Sequence, residues 1–60
     1  MSYIGINDMT YVSARDTYQE ALIDLMDYMG FSPKQIKKAL KNGEDITVTD
    51  PYCQIVETVR

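Results

Sequence analysis

Residues 17–43 read TYQEALIDLMDYMGFSPKQIKKALKNG and carry the clearest structural signals of the chain. In their first half, apolar side chains recur at helical spacing at Tyr18, Leu22, Leu25, Met26 and Met29. Gly30 follows, where a helix commonly ends in left-handed backbone. The pattern therefore predicts a helix that begins at Ser13 or Thr17 and ends at Met29, with a start at Asp8 as an alternative.

A second helix is predicted directly after this one. Ser32 suits its N-cap, Pro33 its first turn, and Gln35 completes a capping box. Its apolar residues are Ile36, Ala39 and Leu40, and Asn42-Gly43 ends it. Because so few residues separate the two helices, they must form a tight corner.

The two ends of the chain carry weaker signals. Residues 44–49 suit a short strand or an extended loop, and residues 52–59 suit a final helix, with a terminal strand as the rival. Residues 3–6 and 9–12 suit a hairpin around Asn7-Asp8. We expect residues 1–60 to form one small, mainly α, three-helix domain. The alternative is an α+β fold with a short N-terminal hairpin or a C-terminal strand.

Composition narrows the possible functions. The chain has 60 residues, no histidine and one cysteine, Cys53. Catalytic triads, internal disulfides and the usual zinc sites all need residues that it lacks, so we expect no enzyme activity, metal or cofactor. A core this thin would gain stability from a second copy of the chain, so self-association into a homo-oligomer is a further hypothesis. The free cysteine and the lack of a membrane-spanning run predict a cytoplasmic protein.

The charges form three blocks. Residues 1–30 carry a net charge of −4, residues 31–42 carry +4, and residues 43–60 carry −3. On the first helix the acids Asp16, Glu20, Asp24 and Asp27 share one side, and Ile23 lies among them, away from the core stripe. An apolar residue within a charged rim is typical of a protein interface. The alternative is that each charged side is simply solvated.

The basic block is the polar side of the second helix. Its four lysines are possible phosphate contacts: Lys34, Lys37, Lys38 and Lys41. Two helices at a tight corner are also typical of a helix-turn-helix regulator. No arginine or aromatic residue accompanies the lysines, and the net charge is −3, so we expect nucleic acid not to be the partner.

Residues 25–45 (LMDYMGFSPKQIKKALKNGED) resemble the ubiquitin-associated (UBA) domain. The resemblance rests on Met29-Gly30-Phe31 between two helices and on the Ala39-Leu40 pair of the second helix. It implies a three-helix bundle and a ubiquitin-binding patch to which Met29, Gly30 and Phe31 contribute.

These observations favour a non-catalytic module that binds a protein partner and modulates or inhibits it. The size and acidity are typical of accessory inhibitors encoded by viruses and phages. The expected partner-binding residues are Asp16, Glu20, Ile23, Asp24, Asp27, Met29, Gly30 and Phe31. A UBA-like ubiquitin-binding adaptor and a small DNA-binding regulator are the alternatives.

Overall fold

The sheet is the main departure from expectation. A computed structural model describes residues 2–59, with the element order β1 (Ser2–Asn7), β2 (Thr10–Arg15), α1 (Tyr18–Tyr28), α2 (Pro33–Lys41), α3 (Ile46–Thr49) and β3 (Cys53–Thr58). The three strands form one antiparallel sheet in the order β2-β1-β3. The mainly α prediction, and with it the helical bundle, is therefore wrong. The chain is a small α+β domain with both an N-terminal hairpin and a C-terminal strand.

The β1–β2 hairpin turns through Asp8 and Met9, whose φ angles are 47° and 67°. Two consecutive residues with positive φ are what a two-residue type I′ turn requires. The turn lies one residue later than the predicted Asn7-Asp8, because methionine is not a residue that marks left-handed backbone. The register then shifts between Gly5 and Ile6, which leaves a bulge in β2.

β3 occupies the place predicted for a terminal helix. It pairs with β1 over six residues without a register shift, from Asn7 opposite Cys53 to Ser2 opposite Thr58. The apolar spacing of residues 52–59 fits a helix, but the β-branched Ile55 and Val56 favour a strand once β1 provides a partner. Residues 46–49, which were expected to be extended, form the single turn α3.

The two longer helices begin and end largely where the sequence predicts. α1 starts at Tyr18 after the N-cap Thr17. α2 has the complete capping box between Ser32 and Gln35, which confirms that prediction. Between the helices, Gly30 has φ 95°. The amide of Phe31 donates to the carbonyl of Met26, and that of Gly30 to Asp27, each at 3.0 Å. These bonds form a Schellman ending.

α1 lies across the sheet and supplies half of the buried core residues. It contacts all three strands on one side and α2 on the other. The buried core residues are Ala21, Leu22, Leu25, Met26, Ile36, Ala39, Ile46 and Cys53. Leu25 is completely buried directly above Gly5, so close that a Cβ on Gly5 would lie 3.1 Å from its Cγ. None of the helices in residues 2–59 is long and apolar enough to cross a membrane.

Candidate functional site

A groove between α1 and α2 brings several of the predicted binding residues together. Its volume is about 400 Å³, and it is open to solvent along its length. The lining residues are Ile23, Asp24 and Asp27 from α1, and Pro33, Ile36, Lys37 and Leu40 from α2. The floor is therefore apolar, and charged side chains of both signs stand at the rim.

Ile23 is placed differently from the expectation. It was expected on the solvent side of α1, away from the core, but it is half-buried and packs against the core cluster. It still lines the groove. The difference arises because α2 packs beside α1 and covers a wider arc of it than the stripe of Leu22, Leu25 and Met26 alone. Ile23 thus links the core to an accessible surface.

The four acids predicted for the first helix have different environments, and Asp16 lies outside it, between β2 and the N-cap Thr17. Asp24 accepts hydrogen bonds from Arg15 of β2, with Nε at 2.6 Å and Nη2 at 3.3 Å from its two carboxylate oxygens. Glu20 accepts a hydrogen bond from the N-cap hydroxyl of Thr17 at 2.8 Å. Asp16 and Asp27 are exposed and have no hydrogen bond to another described side chain. Of the four acids, Asp27 is the one that lines the groove without a hydrogen bond to another described side chain.

The lysines of α2 do not form a single isolated surface. Lys34, Lys37, Lys38 and Lys41 are all exposed. Lys37 lines the α1–α2 groove, whereas Lys38 lines a wider depression between α2 and α3. Their role as phosphate contacts stays a prediction. Two of the four take part in the rims of apolar depressions, which also suits contacts with a protein.

Met29, Gly30 and Phe31 form the corner between α1 and α2, and local backbone and core contacts account for two of these three residues. Gly30 supplies the left-handed backbone of the Schellman ending, and Phe31 packs against the core. Met29 remains 39% exposed, and its sulfur accepts a hydrogen bond from the side chain of Asn7 at 3.2 Å. Of the three residues, Met29 therefore presents the most apolar surface to a partner.

A hydrogen-bonded cluster holds α3 against α1. The Tyr18 hydroxyl donates to Asp45 at 2.5 Å, and Asp45 also accepts from the amide and hydroxyl of Thr47 at 2.8 and 2.6 Å. Burial and the bond to Asp45 raise the pKa of Tyr18. Burial alone would raise the pKa of Asp45, but the bonds from Thr47 and Tyr18 outweigh it and lower that pKa. The cluster fixes the position of α3 on α1, and one of its members, Asp45, lines the α2–α3 depression of about 750 Å³.

The sequence interpretation missed the outer surface of the sheet. Tyr3 makes an edge-to-face contact with Tyr18 of α1, Gly5 lies under Leu25, and Asn7 contacts Met29, so these three residues face the helix. Side chains alternate along a strand, and Ile4 and Ile6 therefore face away from α1. The alternation of two isoleucines with smaller or polar residues in β1 was the available signal. The predicted hairpin rests instead on residues 9–12 and on Asn7-Asp8, and it does not include an apolar outer surface.

No protein-family model, curated protein or solved structure matches this chain.

Proposed function

We propose that this chain is a non-catalytic protein-binding module and that the α1–α2 groove is its binding surface. The observation that carries the proposal is the groove itself, with the apolar Ile23, Ile36 and Leu40 inside a rim that includes Asp27 and Lys37. An apolar centre bordered by charged side chains is how protein interfaces are commonly built. An open groove of this size holds an anchoring side chain with its neighbours, as in helix-in-groove recognition.

The charge around the groove defines the partner surface that fits it. On the α1 side, Asp24 and Asp27 line the groove, and Asp24 is already paired with Arg15. A complementary surface has an apolar anchor for the groove and basic side chains that lie beside α1. Binding there would block or modulate the partner, as a virus-encoded accessory inhibitor does. The proposal places this interaction in the cytoplasm, of the host cell for a viral protein, because a free thiol suits a reducing compartment.

Quantitative capture from a lysate of the native host tests the proposal with matched variants. Asp27→Lys reverses one exposed rim charge, and Glu57→Lys makes the same charge change at an exposed position of β3. A partner of the groove should be retained by the wild type and by Glu57→Lys and lost from Asp27→Lys. Purified partner and variant, titrated by calorimetry, should repeat that order.

Ile23→Ala tests whether affinity depends on apolar contacts in the groove and not only on charge. It removes apolar floor without changing charge, so affinity should fall while the circular dichroism spectrum stays that of the wild type. A partner that binds all four proteins equally would show that the groove is not the binding surface.

Ubiquitin binding is a second candidate, favoured by the exposed Met29 at the helical corner. It rests on the UBA resemblance of residues 25–45. Titration of ¹⁵N-labelled protein with ubiquitin should shift the amide signals of Met29 and Gly30 if this candidate is right. Unchanged spectra at millimolar ubiquitin would dismiss it and leave the groove proposal intact.

A further inference from the structure

We infer that the outer surface of the sheet is a self-association surface, on which two copies of this chain pack face to face. This surface is distinct from the α1–α2 groove and does not depend on the proposed function. It consists of the side chains of the three strands that point away from α1. We call it the outer sheet face.

The strand register identifies the members of the outer sheet face. Ile4 lies between Ala14 of β2 and Val56 of β3, and Ile6 lies between Tyr11 and Gln54. Ser2 lies beside Thr58 at the end of the sheet. Ile4, Ile6, Tyr11, Ala14 and Val56 do not belong to the core cluster or to the hydrophobic residues packed against it.

Among residues 2–59, the outer sheet face contains no charged side chain, although the full chain has six basic and nine acidic residues. The charged residues of the strands, Arg15 and Glu57, both lie opposite Tyr3 and therefore on the helix side. An antiparallel sheet with one solvated face normally places polar residues outward. In β1 the order is reversed, because the isoleucines point outward and Gly5 and Asn7 point inward. A solvated face gives no reason for this reversal, whereas a buried one does.

A second copy fits this face for two reasons. First, each copy carries a net charge of −3, so copies repel one another, and repulsion is weakest where the contact surfaces carry no charge. Second, a two-fold axis that runs parallel to the sheet, outside its outer face and level with the middle of β1, brings Ile4 and Ile6 onto the same two residues of the other copy. Such a contact is self-complementary, as an isologous dimer requires. The outward residues of the two sheets would then form a core of the kind found in β-sandwiches.

The area of the outer sheet face indicates how strongly two copies should associate. Strands about 4.8 Å apart and about 3.3 Å per residue give the six-residue, three-stranded sheet a footprint of about 14 by 20 Å, or ~280 Å². Stable interfaces bury about 800 Å² per partner. The dimer is therefore a weak one that forms and dissociates with concentration.

Sedimentation equilibrium from low micromolar to near-millimolar concentration tests this inference. The wild type should shift from monomer towards dimer over that range. Tyr11→Lys and Val56→Lys place a cation on the outer sheet face at positions that are 76% and 41% exposed, so the fold should tolerate them. Both variants should stay monomeric, even though the added lysine lowers the net repulsion between copies.

Val48→Lys is the matched control, since Val48 is 82% exposed on α3 and the charge change is the same. It should dimerise at least as well as the wild type, and so should Asp27→Lys in the groove. In a mixture of isotope-labelled and unlabelled protein, NMR should detect contacts between copies from the methyl groups of Ile4 and Ile6. A wild type that stays monomeric at every concentration would overturn the inference. So would a dimer that Tyr11→Lys and Val56→Lys leave unchanged.

Discussion

Gly5→Ala tests the closest contact between the sheet and α1. The new Cβ would lie 3.1 Å from Cγ of Leu25 and 3.4 Å from the hydroxyl of Ser13. Carbon atoms pack best at about 3.5–4.0 Å, so Leu25 must move or remain compressed. Leu25 is completely buried, and overpacking at such sites costs about 1–3 kcal/mol.

The sign of the effect makes Gly5→Ala informative. Replacing a strand glycine by alanine without a clash stabilises a protein by about 0.5–1 kcal/mol, because the unfolded chain loses freedom. Subtracting this gain from the packing cost leaves an expected loss of about 1 kcal/mol, within a span of roughly 0–2.5 kcal/mol. The free energy of unfolding of a chain of this length is roughly 3–9 kcal/mol. The shift is therefore large enough to measure by urea unfolding followed by circular dichroism.

A second substitution identifies the cause. In a Leu25→Ala background the Cγ is absent, so Gly5→Ala should become neutral or stabilising. An osmolyte that strengthens burial keeps the weakened variants folded for this comparison. Gly30→Ala is the control, since its Cβ meets nothing within 4 Å and its cost comes from φ 95°. Leu25→Ala should not rescue it. A Gly5→Ala variant that is more stable than the wild type would refute the described packing of α1 on β1.

Four further predictions concern stability and reactivity. The pKa of Asp45 in the folded state lies below its ordinary value of 3.8. The hydrogen bonds of its carboxylate therefore stabilise the fold above pH 3.8, and this stabilisation is lost as the pH falls through the folded-state pKa. In Asp45→Asn, the urea midpoint of unfolding should decrease less steeply at acidic pH than in the wild type. Ser32→Ala removes the α2 cap and should cost about 1 kcal/mol in urea unfolding. The hydroxyl of Ser13 is buried without a hydrogen-bond partner among the described residues, so Ser13→Ala should not destabilise the fold. Burial raises the pKa of the Cys53 thiol, so alkylation of this thiol should be slow in the wild type and faster in Leu25→Ala. Rapid alkylation of the folded wild type would contradict this prediction.

Local signals explain why the middle of the chain was predicted well. The capping box of Ser32 and Gln35 and the glycine ending at Gly30 depend on contacts within a few residues. Such contacts form in the same way whatever lies elsewhere in the fold. The buried stripe of Leu22, Leu25 and Met26 was also visible, because one helix face meets the core at a fixed period.

The sheet could not be predicted with the same certainty, because strands acquire their partners from distant parts of the chain. β3 pairs with β1 across most of the sequence, and nothing local distinguishes Ile55-Val56 in a strand from the same pair in a short helix. The turn depends on Met9 with φ 67°, a residue that rarely marks a turn and is 92% exposed. Ile23 was assigned to the solvent side because helical period alone does not show where α2 will pack.

Site-specific photocrosslinking in the native host tests the central claim, that the α1–α2 groove receives a protein partner, most directly. A photoreactive amino acid at position 27 stands at the rim of the groove, and the same group at position 48 stands on exposed α3, outside it. We predict one discrete adduct from position 27, absent from position 48 and lost when Ile23→Ala is added. No adduct at position 27, or equal adducts at both positions, would contradict the claim.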